Sequence, residues 1–128
     1  MARKKSPHLT DAELRLMEVL WEKGSATVSD VVDSVAPEAQ LHYSTVLTTL
    51  RILETKGFVK HTKDGRAFIY RAVVRREKAQ DKALTHILSR FFGNSPELLM
   101  LNLVQTKKIT AKELDRLRKR IAEEAEEK

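Results

Sequence analysis

One turn signal constrains this chain more than any other feature. Asp64-Gly65 lies between two short runs rich in aromatic and β-branched residues, and three helix-length patterns precede it. Phe58 to Thr62 reads as a strand, Lys63-Asp64-Gly65-Arg66 as the turn, and Ala67 to Val73 as the return strand with Phe68 and Tyr70 on one face. A lone two-stranded hairpin is marginal in water and must lie on something else. In a chain of 128 residues, having only 4 Gly and 3 Pro argues against a multi-stranded sandwich.

The three helices can be placed by their caps and periodicity. The first runs from Asp11 to about Lys23. Thr10 is its N-cap, Glu13 completes a capping box, Leu9 and Leu14 occupy staple positions, and Gly24 stops it. Leu14, Met17, Leu20 and Trp21 recur on one face. Ser25 to Val28 reads as a short extended stretch. A second helix covers about Ser29 to Val35, with Val28, Val31, Val32 and Val35 inward, and Ala36-Pro37 ends it. The third begins at Tyr43 or Ser44, runs to Lys56 and closes at Gly57. Its inner face is Val46, Leu50 and Leu53. Its outer face is Ser44, Thr48, Arg51 and Thr55.

Beyond Arg75 the chain reads as helix throughout. Arg76 to Phe92 is one helix, broken by Gly93-Asn94. Ser95 caps the next, Pro96 takes its first position, and it extends to about Gln105. Thr110 and Glu113 box the last helix, whose seam is Leu114, Leu117 and Ile121. Between Leu98 and Val104 only Asn102 is polar. A helix apolar on all sides must be covered on all sides, which three helices in about 50 residues hardly achieve alone. A tight local bundle is one reading; the other is a dimer in which a second copy covers the exposed side, with Leu88, Phe91, Leu98, Leu101, Val104, Leu114, Leu117 and Ile121 expected at the contact. The fold class is therefore mainly α with a small β-hairpin: residues 1–75 as a winged helix-turn-helix domain and 76–128 as a helical dimerisation domain.

Charge supports a polyanion partner. The chain has 24 Lys and Arg against 18 Asp and Glu, a net +6. Arg51 to Arg76 holds eight basic residues (Arg51, Lys56, Lys60, Lys63, Arg66, Arg71, Arg75, Arg76) and two acidic ones, so the excess is concentrated there. The major groove of B-DNA admits one helix, whose outward residues must be polar and not bulky. Tyr43, Ser44, Thr45, Leu47, Thr48 and Arg51 fit that face. Arg51 suits a guanine edge or a phosphate, and Leu47 a thymine methyl. Lys60, His61, Lys63 and Arg66 on the hairpin suit the backbone of the adjacent minor groove, with Arg71 flanking them. A solvated basic face, or an interaction module that keeps the shape without the DNA, is the alternative. A protein partner would then need a matching acidic surface.

Other chemistries find little support. There is no Cys, so disulfides, thiolate metal sites and Cys nucleophiles are excluded. His8, His42, His61 and His86 show no paired ligand spacing, and no nucleophile constellation or Gly-rich phosphate loop stands out. No catalytic residue, metal site or cofactor is expected. No apolar run reaches membrane-spanning length, so no membrane insertion is expected. Met1 to Thr10 lacks the apolar stretch of a secretory signal, which leaves a cytoplasmic location by default.

Several separated motifs resemble one family. Tyr43-Ser44-Thr45-Val46-Leu47-Thr48, Lys56-Gly57-Phe58-Val59 and Gly65-Arg66-Ala67-Phe68-Ile69-Tyr70 are similar to the BlaI/MecI/CopY family, the penicillinase-repressor type of bacterial regulator. Leu20-Trp21-Glu22, Ala26-Thr27-Val28, Leu101-Asn102-Leu103-Val104 and Ile109-Thr110-Ala111-Lys112-Glu113-Leu114 extend the resemblance to about Leu9–Lys119. It implies a homodimeric winged-helix repressor on a palindromic operator. It also implies release by cleavage of an Asn-Phe bond, triggered by a membrane sensor with a protease domain. The matching bond here is Asn102-Leu103, with Leu in place of Phe. The Cys cluster of the copper-responsive branch is absent. The family often has Arg just before the Leu matching Leu53, where this chain has Ile52 preceded by Arg51.

Overall fold

A computed structural model describes residues 8–35 and 41–126. The Ala36-Pro37 stop and residues 1–7 lie outside the described residues. The elements run α1 (Asp11–Lys23), β1 (Ser25–Thr27), α2 (Val28–Ser34), α3 (Tyr43–Thr55), β2 (Val59–Asp64), β3 (Ala67–Ala72), α4 (Arg76–Phe91), α5 (Pro96–Gln105) and α6 (Ala111–Glu126). This is a mainly helical chain with a small antiparallel sheet, the winged-helix architecture. Two compact units divide within α4, Met1–Leu84 and Thr85–Lys128. The first is longer than the expected 75 residues because the opening turns of α4 belong to it: Ala79 is buried in its core.

The caps read from the sequence form. The Thr10 hydroxyl accepts from Glu13 N–H while Glu13 accepts from Thr10 N–H, and Thr110 with Glu113 repeats the arrangement. Ser95 caps α5. A third box, Thr27 with Asp30, starts α2 at Val28 rather than the expected Ser29.

The sheet has three strands, ordered β1-β3-β2, not the two of a bare hairpin. The extended stretch after Gly24 is β1, and Ala26 pairs with Tyr70 across it. This sets the sheet onto the helices and supplies the support that a two-stranded hairpin lacks. The tip also differs from an Asp-Gly I′ turn. Asp64 still pairs with Ala67, so Gly65-Arg66 are the central residues, and of these only Gly65 has a positive φ, +61°. Glycine first is the pattern of a II′ turn, which places the Arg66 side chain at the apex.

Leu16, Met17, Leu20, Val31, Val46, Leu50, Leu53, Phe58, Val59 and Tyr70 form the centre of the core. Leu14, expected on the buried face of α1, is exposed instead, and Leu16 and Val19 take the inward positions. The end of α3 fixes much of this packing. Phe58 N–H donates to Leu53 C=O at 2.9 Å and Gly57 N–H to Glu54 C=O at 3.0 Å. Together with φ +89° at Gly57 they make a Schellman turn that sends Phe58 and Val59 straight into the core.

The same turn aims Lys56 inward. Its Nζ donates to Glu13 Oε1 at 2.7 Å and to His8 C=O at 3.1 Å, and the side chains of the ion pair are only 5% and 6% exposed. Burial alone would raise the Glu13 carboxyl, but Lys56 and the Thr10 N–H outweigh it and hold Glu13 below its ordinary value of 4.5. Lys56 is thus removed from the basic surface to which its sequence neighbourhood assigned it. Replacing Lys56 by Met should strand a buried carboxylate and cost about 3 kcal/mol or more in urea unfolding. A depressed carboxylate contributes stability that is present above the ordinary range and lost as the pH falls through its lowered value. The Glu13→Gln chain should therefore show a shallower loss of stability than the parent on acidification below about pH 4.5.

Candidate nucleic-acid interface

Helix α3 is two-faced because its sequence is. Val46, Leu50 and Leu53 are fully buried. Tyr43, Ser44, Thr45, Thr48, Arg51 and Thr55 are exposed, and Leu47 is half-buried between the two sets. Short polar residues in mid-helix compete with the backbone. Here Thr49 donates to Thr45 C=O at 2.8 Å and Thr55 to Arg51 C=O at 3.0 Å. These two hydroxyls are turned onto the helix, while Ser44, Thr45, Thr48 and Arg51 form the outward surface.

The hairpin presents the second half of the site. Lys60, Thr62, Lys63, Arg66 and Arg71 are exposed. Lys60 and Arg71 stand directly opposite each other across β2 and β3. Like charges facing each other on a sheet oppose its pairing, and an external anion relieves the repulsion. Lys63 lies 6.0 Å from the Phe68 ring centroid, and Arg66 holds the apex.

His61 is engaged within the chain. Its Nδ1 lies 2.7 Å and 2.9 Å from the two carboxylate oxygens of Glu54 on α3. Its ring meets Phe68 edge-on at 5.3 Å and Tyr70 at 5.2 Å. Burial, then the Glu54 carboxylate, push the Tyr70 phenol up, partly opposed by Arg51. The sequence reading placed His61 in the basic group but missed Glu54. The contact joins helix to strand, so no local signal in the sequence marks it.

Arg76 also departs from a simple cationic surface. It pairs with Glu18 at 3.3 Å and lies 5.3 Å from the Trp21 ring, whose Nε1–H donates to Val74 C=O at 2.9 Å. Of the eight cations counted between Arg51 and Arg76, then, Lys56 and Arg76 serve intramolecular contacts. Among the described residues, no group of three His, Asp or Glu side chains is placed to hold a metal, and no helix is long and apolar enough to cross a membrane.

In the second unit the expected contact residues are at most half-covered by their own unit. Among the described residues from 85 to 126 none is buried. Phe91 is 68% exposed, Ile121 59%, and Leu98 and Leu101 49% each; Leu117 is also exposed, and Leu88, Val104 and Leu114 are half-buried. Asn102 is exposed and Leu103 half-buried, in the last turn of α5. There Asn102 C=O accepts both the N–H and the hydroxyl of Thr106.

The chain is similar to known repressors over most of its length. It is 27% identical over 114 residues to the penicillinase repressor of Bacillus licheniformis, covering 89% of each chain. It is 23% identical over 114 residues to the methicillin resistance regulatory protein MecI of Mammaliicoccus sciuri, covering 89% of this chain and 93% of that one. A solution structure of the DNA-binding domain of the repressor BlaI aligns with a TM-score of 0.51 and 32% identity, over 59% of this chain and 93% of that domain. The penicillinase repressor family model matches residues 9–123, and with it the chain belongs to the penicillinase repressor family.

Proposed function

We propose that this chain is a DNA-binding transcriptional repressor that acts as a homodimer on palindromic operators. One observation carries the DNA reading: an outward α3 face of Ser44, Thr45, Thr48 and Arg51, rigidly backed by the core, stands in one compact unit with a hairpin tipped by Lys63 and Arg66. The helix enters the major groove, where Arg51 and the small hydroxyls read base edges and Leu47 meets a thymine methyl. Tyr43, Lys60, Lys63 and Arg66 hold phosphates, and His61 adds a contact at the side of the hairpin. The similarity to the BlaI DNA-binding domain supports the same reading.

The homodimer rests on the apolar side chains of α4, α5 and α6, which their own unit leaves exposed. Two copies joined there would carry two α3 helices to successive major grooves, about 34 Å apart. Release by a membrane sensor protease at Asn102-Leu103 would require α5 to open first, because a protease takes its substrate extended while this bond lies in helix. The working location is the cytoplasm.

Fluorescence anisotropy with the duplex upstream of the chain's own gene tests the DNA reading. Affinity should fall steeply with salt, and random duplex should bind about 1000-fold or more weakly. Arg51→Ala should lose about 10-fold or more on the operator and little on random DNA. Lys63→Ala and Arg66→Ala should weaken both about equally, each reducing the log–log salt slope by about 0.9. Equal, weak binding to every duplex would instead favour a protein-interaction module. Light scattering tests the assembly: the parent should run at twice the chain mass, and Leu101→Asp, which would bury an unpaired charge at the contact, should run as a monomer or unfold.

A further inference from the structure

We propose that Glu54, His61 and a DNA phosphate form a relay in which Glu54 positions the imidazole and operator binding takes up a proton on His61. The inference rests on the DNA-binding reading above and assigns Glu54, an acidic side chain on the groove-entering helix, a positive role in binding. His61 lies on the same sheet face as Val59 and Tyr70, one register step outward from the core, with Lys63 and Phe68 a further step toward the tip. Glu54 meets it from the last turn of α3. The pair therefore joins the two halves of the interface, helix and hairpin, through one contact.

The tautomer follows from the contact. A carboxylate only accepts, so Nδ1 carries the hydrogen and donates to Glu54. In the neutral ring this leaves Nε2 as a lone pair on the side away from the carboxylate. A lone pair repels a phosphate oxygen. Proton uptake turns Nε2 into a donor and adds positive charge where the hairpin would meet the backbone, while Glu54 keeps the Nδ1–H side compensated. The side chains of His61 and Glu54 are 38% and 32% exposed, so the pair is open to an approaching phosphate and still partly shielded from solvent. The ring is held in place by Phe68 and Tyr70. The titratable groups that meet it are Glu54 from α3 and Tyr70 from β3; Arg51 and Tyr43 of α3 act on Tyr70 in turn, and Lys63 of its own strand lies over Phe68. Histidine is the side chain that exchanges its proton between about pH 5 and 8. The acid side of that range favours the charged ring, so affinity must rise as the pH falls.

Operator affinity of the full chain, measured from about pH 8.5 to 5.5 at constant ionic strength, tests this. The parent should tighten about threefold or more between pH 8 and pH 6. His61→Gln, which keeps hydrogen bonding but cannot ionise, should bind several-fold more weakly at pH 6 and show a flatter profile. Glu54→Gln should also weaken binding and flatten the profile, and the double variant should be no weaker than either single one. A carboxylate that merely stands near DNA gives the opposite sign, because removing its charge strengthens binding. Glu54→Gln binding as tightly as the parent or tighter, or either variant keeping the parent's pH profile, would overturn the relay while leaving DNA binding intact. A parent that binds no duplex at any pH would remove the DNA reading itself. Circular dichroism of each variant separates these outcomes from unfolding.

Discussion

Everything at the proposed interface depends on α3 being gripped from behind. Val46, Leu50 and Leu53 leave no exposed surface, and the Schellman turn after Thr55 carries Phe58 and Val59 into the same core. A helix anchored along its whole inner stripe can present short side chains on its outer stripe at fixed positions. The Lys56–Glu13 pair adds a polar anchor at the C-terminal end of α3, tying it to the N-terminal box of α1. Buried ion pairs are weak evidence for stability, but they specify geometry when both partners are satisfied. Here Glu13 also closes its helix cap, so one carboxylate fixes two elements.

The charge pattern gains meaning once the engaged cations are set aside. Lys56 neutralises Glu13 in the interior, and Arg76 lies between Glu18 and the Trp21 ring. What remains outward is a narrower group: Arg51 on α3, Lys60, Lys63, Arg66 and Arg71 on the hairpin, and Arg75 just after it. Two of these face each other across the sheet, an arrangement that does not help the fold but suits an anion. A stability-driven sequence would have put an acid at one of those two positions.

The sequence carried the element order, three of the four N-cap motifs and the inner stripe of α3, because helix caps and 3.6-residue periodicity are local signals. The third strand was not legible as such. Ser25–Thr27 is three residues long, and its pairing with β3 is a contact between positions more than forty residues apart. The inward turn of Lys56 was hidden for the same reason: its partner is Glu13, 43 residues away. Leu14 was misplaced because Leu16 and Val19 offer a competing apolar stripe on α1, and only the packed neighbours decide between them. At the site, the outer face of α3 could be read from spacing alone, whereas the Glu54–His61 contact joins helix to strand and is a property of the fold.

The second unit contributes the opposite kind of information. Its helices form, yet they bury none of their described residues from 85 onward. Its apolar side chains Leu98, Leu101, Ile121 and Phe91 stand at 49% to 68% exposure, and the proposed homodimer rests on them. The central claim, however, concerns the first unit and can be tested there residue by residue. Backbone amide shifts of the isotope-labelled chain, followed by NMR during titration with the duplex upstream of its gene, test it most directly. The account predicts that the perturbed residues cluster at Ser44, Thr45, Thr48 and Arg51 and at the hairpin around Lys63 and Arg66. Shifts confined to the exposed surfaces of α1 and α2, with those two groups unmoved at saturation, would contradict it.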